Sequence, residues 1–376
     1  MTGLRRARRS ACMVVALLLT GTGYCAQVAV SPARSPATQT ECLGYYTVGL
    51  PGEFEYALMS NFSQGLGAWS SEIRLNLRGL ESQELSISQS AGLTDLEGQR
   101  VSMNLKRTQE IDELKSNLAE TDRPSLRKIY SDQLADLHLF LPIAGHNAIG
   151  RLDKEKLALR ALVNGHILTT EMKPQGTPAQ TLDVFLSHYR PRALGEVPTG
   201  PGVCVPFGFF TGEQQPASIG LNIRLKDQPD IVIFLLARDA ATNEPDDPRK
   251  LFDGLTPAST FFGSKNVTPI HRIKPLQPIT IDGNEGLGSF VRVKRKLVID
   301  QSRAFNNAAE NDEDWGYFAY VPGLTGGKPG ESLNLEFKVE RFGRFASSPM
   351  SESEFRALTL RIAASIKRRP GAWVSH

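Results

Sequence analysis

The sequence predicts an α+β fold in two domains, each a largely antiparallel sheet with a few packed helices. The chain has 376 residues, which is more than a single hydrophobic core usually holds. Both halves combine strand-like alternation with a few helical segments, and neither shows the steady strand–helix alternation of a parallel sheet. A stretch rich in Pro and Gly at residues 191–202 is the expected linker between the halves.

Residues 1–26 have the layout of a secretory signal peptide. Four arginines within the first ten residues precede the apolar run 11–19, which is too short to span a bilayer. We expect cleavage near Cys25 or Ala26 and export to the periplasm. The alternatives are a buried N-terminal helix and lipidation at Cys25, which the bulky Tyr24 disfavours.

The mature chain is nearly neutral. Without those four arginines, 39 basic residues face 40 acidic ones, which leaves a net charge of −1. No long-range field therefore favours nucleic acid or anionic lipid as a partner. Residues 27–40 are rich in Pro, Ser, Ala and Thr and are expected to form a flexible tether. No later segment approaches the roughly 18 apolar residues of a membrane span, so none is expected in the mature chain.

Cysteine usage agrees with export. Cys12 and Cys25 lie in the signal or at its end, which leaves Cys42 and Cys204 in the mature chain. In an oxidising compartment these two allow one intramolecular disulfide. It would close a loop of about 160 residues, for which the chain-entropy model gives roughly 5 kcal/mol. Free thiols and pairing between chains are the alternatives. Neither cysteine has a second ligand nearby, so no metal site is expected.

The first half, residues 41–190, opens with strands and continues with helices. Alternation in 72–77 (EIRLNL) predicts a strand. Two helices with one apolar face each follow, the second beginning at Pro124. Their predicted packing positions are Leu105, Ile111, Leu114 and Leu118 in the first and Leu126, Ile129, Tyr130, Leu134 and Leu137 in the second. A short third helix begins at Thr177-Pro178.

The second half, residues 203–370, begins with strands. Residues 219–225 and 231–236 flank a polar turn and predict a hairpin, and 290–299 and 333–341 predict further strands.

A final helix precedes a short tail at 371–376. Ser351 and Glu354 form its predicted capping box. Its apolar stripe is Phe355, Leu358, Ile362 and Ile366. The basic residues 367–369 suit the negative end of the helix dipole.

The usual catalytic and metal-binding signatures are absent from the sequence. It contains no H-E-x-x-H, G-x-S-x-G or C-x-x-C motif, and its six histidines are scattered. We therefore expect no catalytic residues, no metal and no cofactor. A Ser/His/Asp site assembled from distant residues is the alternative, because such triads are recognised by geometry and not by order.

Two acidic loops are candidate partner-binding surface. The candidate residues are Asp246, Asp247, Asp312, Glu313, Asp314 and Trp315. Tryptophan is over-represented among the residues that anchor protein interfaces, which favours the second loop. Ordinary solvated loops are the alternative for both.

Three segments suggest a family. They are ECLGYY at 41–46, continuing to Phe54, GVCVPFGFF at 202–210, and SIKRRP at 365–370. They resemble the opening, the start of the C-terminal domain and the closing segment of the immunity proteins that protect bacteria against class-four lipase effectors of type VI secretion. The segment GLGS at 286–289 matches only part of that family's Gly-Leu-x-Gly-Glu-Glu motif, so no role is carried over to it.

The resemblance implies a two-domain periplasmic protein without catalytic activity. Such a protein would bind a toxic phospholipase between its domains and block the access of that enzyme to lipid. A bridge between Cys42 and Cys204 would then help to fix how the two halves are oriented. An exported hydrolase with a dispersed Ser/His/Asp site and a periplasmic module that binds a small ligand are the alternative functions.

Overall fold

The computed structural model describes residues 38–57, 72–77, 80–212, 214–239, 271–272, 276–294, 313–323, 333–343 and 350–372. The predicted signal peptide and most of the predicted tether lie outside these ranges. The helices are α1 (Leu93–Glu120), α2 (Pro124–Asp136), α3 (Pro178–Ser187) and α4 (Glu352–Ser365). Among the described residues, no helix has both the length and the apolar character that crossing a membrane requires.

Antiparallel strands make up most of the remaining structure. They are β1 (Gln39–Leu43), β2 (Tyr46–Leu50), β3 (Phe54–Tyr56), β4 (Glu72–Leu77), β5 (Leu80–Ile87), β6 (Leu141–Pro142), β7 (Ala148–Asp153), β8 (Lys156–Val163), β9 (His166–Met172), β10 (Tyr189–Pro191), β11 (Gly202–Val205), β12 (Gly208–Thr211), β13 (Gln214–Leu225), β14 (Ile231–Asp239), β15 (His271–Arg272), β16 (Gln277–Ile281), β17 (Asn284–Lys294), β18 (Glu313–Val321), β19 (Leu333–Arg341) and β20 (Lys367–Arg368). The α+β class predicted from the sequence is confirmed.

One fourteen-stranded sheet runs through both halves of the sequence. Its order is β15-β17-β18-β19-β14-β13-β4-β5-β9-β8-β7-β6, with β16 beside β17 and β3 beside β13. β4 precedes residues 191–202 and β13 follows them, yet these two strands pair directly, with Ile73 opposite Ile219. The two halves thus share one sheet, and their division into two domains at residues 191–202 stays a prediction.

Two small sheets bring distant parts of the chain together. One has the order β1-β2-β20, so the last described strand pairs near the first, with Tyr46 opposite Arg368. The other has the order β10-β12-β11, so residues 192–201 connect two strands of the same small sheet. An isolated antiparallel β-bridge between Gly44 and Cys204 links the two sheets.

The sequence patterns located the central strands well. Residues 72–77 are β4, residues 333–341 are β19, and the predicted hairpin lies in β13 and β14. The row Leu221, Leu235, Phe337 and Ala319 crosses β13, β14, β19 and β18 in register and is buried throughout. Burial of such rows is what holds the sheet onto the main core.

α1 and α2 form a helical hairpin, as predicted, but its packing differs from the prediction at two positions. Ile111, Leu114 and Leu118 are half-buried, whereas Leu105 is 61% exposed and Ile129 is 48% exposed. Helical geometry explains both, because Leu105 lies about 120° around the helix from Ile111 and Ile129 flanks the packed face of α2. In addition, α2 has 13 residues against the 28 of α1, too few to cover all of α1.

α4 has the capping box that its sequence predicts. The amide of Glu354 donates to Ser351 Oγ (3.2 Å), and the amide of Ser351 donates to the Glu354 carboxylate (2.6 Å). The predicted apolar stripe is buried. Residues 367–369 were expected at the C-terminal end of α4, and this prediction is wrong. The backbone is extended from Ile366 to Arg368, and Lys367–Arg368 pairs with β2 as a strand.

Candidate functional site

The predicted disulfide joins Cys42 of β1 to Cys204 of β11, with Cα atoms 5.8 Å apart. Both cysteines are fully buried and pack against Phe209. Beside them, the amides of Gly44 and Cys204 each donate to the carbonyl of the other, at 3.0 and 2.9 Å. The cross-link therefore fastens the first described strand to a strand 162 positions later in the sequence.

A buried ion pair lies next to this disulfide. Arg192 Nη2 is 2.5 Å from Glu41 Oε1, and neither side chain is exposed. The Tyr56 hydroxyl accepts from Arg192 (2.6 Å) and donates to Glu41 (2.7 Å). The second carboxylate oxygen of Glu41 accepts from the amide of Gly195 (2.6 Å), and Arg192 also donates to the carbonyl of Cys42 (2.9 Å). Burial raises the pKa of Tyr56 well above 10.

Arg369 is the third component of this region. Its guanidinium donates to the carbonyls of Pro198, Gly200 and Gly202 at 2.7–2.8 Å and lies 4.9 Å from the ring centroid of Phe209. Burial, together with repulsion from nearby Arg192, lowers the pKa of Arg369 to about 10. The sequence analysis missed this role, because three carbonyls from a distant loop leave no local pattern.

These three features are the disulfide, the Glu41–Arg192–Tyr56 network and Arg369. Together we call them the buried clamp. All three hold residues 192–211 against β1 and the segment after α4. Their charged groups are directed at protein atoms and away from solvent. The clamp therefore stabilises the fold and offers no chemistry to a substrate.

The histidines of the described part of the chain do not assemble a metal site. Within that part of the chain, no group of three His, Cys, Asp or Glu side chains could hold a metal ion. His146 Nε2 lies 3.2 Å from Asp183, whose side chain is largely exposed. His166 stacks on Phe207 and contacts the carbonyl of Ser88 at 3.0 Å. Both histidines have ordinary structural contacts.

The predicted partner-binding residues differ in where they lie. Asp246, Asp247 and Asp312 lie outside the described residues, and Glu313 is the first residue of β18. Asp314 is fully buried and accepts a hydrogen bond from the amide of Gly343 (2.9 Å), so this arrangement leaves its carboxylate no surface for a partner.

Trp315 packs against other parts of the protein, whereas a residue that anchors a partner would be more exposed. Its ring lies 5.8 Å from that of Phe355 on α4, and the guanidinium of Arg341 lies 4.6 Å from its centroid. Arg341 is itself paired with Asp230 at 2.9 Å. Trp315 therefore joins α4 to the sheet, a role that its position beside an acidic segment did not indicate.

A groove, which we call the hairpin groove, runs along the sheet beside the helical hairpin. One part is a cavity of about 280 Å³ between α1 and strands β7–β9. A second hollow, of about 350 Å³, lies at the end of α2. The two adjoin at Ala158 and Glu171. The sequence analysis missed this groove, because its charged residues meet only through the register of three strands.

α1 also closes the edge of the sheet above the groove. The Asn104 side chain donates to the carbonyl of Phe140 (2.9 Å) and accepts from its amide (2.8 Å). Phe140 immediately precedes β6, the last strand of the sheet order at this end. The carboxamide thus makes the pair of hydrogen bonds that a further strand would make, which protects the edge.

No protein-family model and no curated protein sequence matches this chain. Solved structures do match it in fold. The immunity protein TplEi of the type VI secretion system (T6SS) from Pseudomonas aeruginosa, in complex with an "L" peptide, superposes with a TM-score of 0.50. The identity is 14%, over 89% of this chain and 99% of that one.

Two further structures have similar values. The apo form of TplEi gives a TM-score of 0.47 at 14% identity, over 89% of this chain and 97% of that one. A chain of the Tle4–Tli4 complex gives 0.49 at 14% identity, over 90% and 99%. The resemblance indicated by the three sequence segments is thus confirmed at the level of the fold by the match to peptide-bound TplEi.

Proposed function

We propose that this protein is a type VI secretion immunity protein, which binds a cognate phospholipase effector in the periplasm and blocks its access to lipid. The observation that carries the proposal is the shared fold with TplEi over 89% of the chain. TplEi is an immunity protein, and its structure was solved with a bound peptide. In this proposal the protein acts by binding the effector and performs no catalysis.

The buried clamp supports a function that depends on binding. A surface held in one arrangement before binding loses less conformational freedom when the partner arrives. The Cys42–Cys204 disulfide and the Glu41–Arg192 ion pair both join segments more than a hundred residues apart. They restrict the motion of β1 relative to β11 and so favour a preformed surface.

The proposed location is the periplasm. The N-terminal arginines and the apolar run 11–19 favour export, and a disulfide persists in an oxidising compartment. The two observations are independent of each other, since one concerns the leader and the other the mature chain.

The hairpin groove and the uncovered side of α1 are the proposed contact surface for the effector. Leu105 and Val101 of α1 are 61% and 56% exposed, and large apolar residues on a polar surface favour protein contacts. Asp246, Asp247, Asp312 and Glu313 stay candidates from the sequence.

Affinity capture from the producing cells tests this proposal. The tagged mature chain, starting near Gln27, would serve as bait, and an unrelated exported protein with the same tag would be the control. We expect recovery of a near-stoichiometric lipase that the control does not retain. Recovery of no lipase from cells that make the candidate effector would contradict the proposal.

The two alternative functions predict different results with the purified protein alone. A hydrolase would turn over ester or lipid substrates, and we expect no turnover above the buffer rate. A small-ligand module would be stabilised by a ligand with no protein partner present, so that its melting temperature would depend on ligand concentration.

A further inference from the structure

The hairpin groove contains an arginine, Arg160, that forms no ion pair among the described residues. The cavity of about 280 Å³ is lined by four basic side chains, Lys106, Arg107, Arg151 and Arg160, and by two acidic ones, Glu110 and Glu171. It lies where Arg160 of β8 meets α1, with Ile149 and Thr169 opposite Arg160 on the neighbouring strands.

Two of the four cations are already neutralised. Arg107 Nη1 is 2.8 Å from Glu110, and Arg151 Nε is 2.7 Å from Asp153, with its guanidinium 5.0 Å from the ring centroid of Phe140. Lys106 is exposed to solvent, which screens its charge.

Arg160 differs from these three. Among the described residues its hydrogen-bond partner is the neutral amide oxygen of Gln99. Its side chain is partly withdrawn from water, and this burial lowers its pKa. A guanidinium has five N–H donors, so most of the donors of Arg160 have no protein acceptor. Arg107 Nε, in the same cavity, is buried and also has no hydrogen-bond acceptor.

We propose that this cavity receives a carboxylate side chain, Asp or Glu, of the protein partner, with Arg160 as its donor. The inference rests on the proposed function, since it names the chemistry by which that partner is recognised. A carboxylate can accept two parallel hydrogen bonds from one guanidinium, which makes such pairs short and directional.

Charge complementarity favours a carboxylate over a phosphate group. Inorganic phosphate is a mixture of singly and doubly charged forms near neutral pH, whereas a carboxylate carries one negative charge. The exposed carboxylates of Glu110 and Glu171 line the same cavity and repel additional negative charge. A single negative charge matches Arg160, the partly buried cation of this cavity, which forms no ion pair within the described part of the chain.

The first test needs no effector. The mature protein would be titrated with butyrate, a monocarboxylate, and separately with inorganic phosphate, at constant ionic strength, while the arginine Nε–Hε signals are followed by NMR. We expect butyrate to shift the Arg160 signal saturably in the wild type. Arg160→Gln should abolish saturation at the Arg107 signal, and Arg160→Lys should weaken binding because it keeps the charge but loses the fork of donors.

Lys154→Gln is the matched control. It removes one positive charge from the adjoining hollow, where Lys154 pairs with Asp136 at 2.6 Å, without touching the cavity. This variant should bind butyrate as the wild type does. Absence of saturation in the wild type, unchanged binding by Arg160→Gln, or saturation by phosphate but not by butyrate would each overturn the inference.

The second test uses the captured lipase. Arg160→Gln should weaken the complex about tenfold, which corresponds to about 1.4 kcal/mol, while Lys226→Gln, which removes an exposed positive charge outside the hairpin groove, should not. Equal affinity of the wild type and Arg160→Gln would overturn the inference. If the wild type captured no lipase although butyrate saturated Arg160, the proposed function would fail while the carboxylate chemistry of the cavity would be supported.

Discussion

The carboxylate of Glu41 and the guanidinium of Arg192 form an ion pair from which solvent is excluded, with 2.5 Å between Oε1 and Nη2. The pair joins β1 to the residue that follows β10. Burial alone would lower the pKa of Arg192, but its interactions with Tyr56 and Glu41 raise it above the usual value. Removing one partner would therefore leave the other as an uncompensated charge in the interior.

Arg192→Met should destabilise the protein strongly. We expect the free energy of unfolding, measured by urea denaturation of the mature chain, to fall by about 3–5 kcal/mol. Arg190→Met is the matched control, because Arg190 is two positions away and half-exposed. Its effect should stay within about 1 kcal/mol.

The double variant Glu41→Leu/Arg192→Met separates charge burial from packing. Neither charge remains, so the loss of stability should be clearly smaller than the sum of the two single losses. A strictly additive loss would show that the two groups do not act as a pair.

Removal of the disulfide should lower stability without changing the fold. For Cys42→Ala/Cys204→Ala, the chain-entropy model predicts a loss of up to about 5 kcal/mol at 25 °C. The measurement is the urea midpoint of the variant against the wild type, both without reductant. A change of less than about 1 kcal/mol would mean that the cross-link does not restrict the unfolded chain as that model assumes.

Asn104→Ala should open the edge of the sheet. Two hydrogen bonds to Phe140 would be lost, and we expect a cost of about 1–3 kcal/mol if the backbone groups of Phe140 stay partly buried. The amide of Phe140 should also exchange its hydrogen faster. Gln109→Ala, at an exposed position of the same helix, is the control and should leave that exchange rate unchanged.

Buried tyrosines should make the protein less stable in alkali. Burial raises the pKa of Tyr189 to about 12 and raises that of Tyr317 further above 10. Above pH 10 the unfolded chain loses these protons while the folded state keeps them, so stability falls as pH rises. The contribution is complete below pH 10 and, for Tyr189, is lost as pH rises towards 12. Tyr317→Phe should flatten the slope of the urea midpoint above pH 10, and an unchanged slope would contradict this assignment.

Local patterns in the sequence predicted much of the fold. Alternation located β4 and β19, and the capping box of Ser351 and Glu354 placed the start of α4, because each depends on neighbours only a few positions apart. The disulfide could be proposed because the mature chain has two cysteines. Helical spacing also predicted the hairpin of α1 and α2, but it did not show that α2 is too short to cover Leu105.

The candidate site could not be predicted in this way. Arg192 and Arg369 resemble surface residues in sequence, and their burial depends largely on partners more than a hundred positions away. Arg160 belongs to a strand whose register places it under Gln99 of α1. Asp314 is the opposite case. Its acidic neighbours in the sequence suggested an exposed loop, but its carboxylate is buried.

The central claim is that the protein neutralises a lipase by binding it. The most direct measurement is the activity of the captured lipase on phospholipid vesicles while the purified mature protein is titrated in. The proposed function predicts a linear fall in activity that ends near one equivalent. Lipase activity that stays unchanged at saturating concentrations of the protein would contradict it.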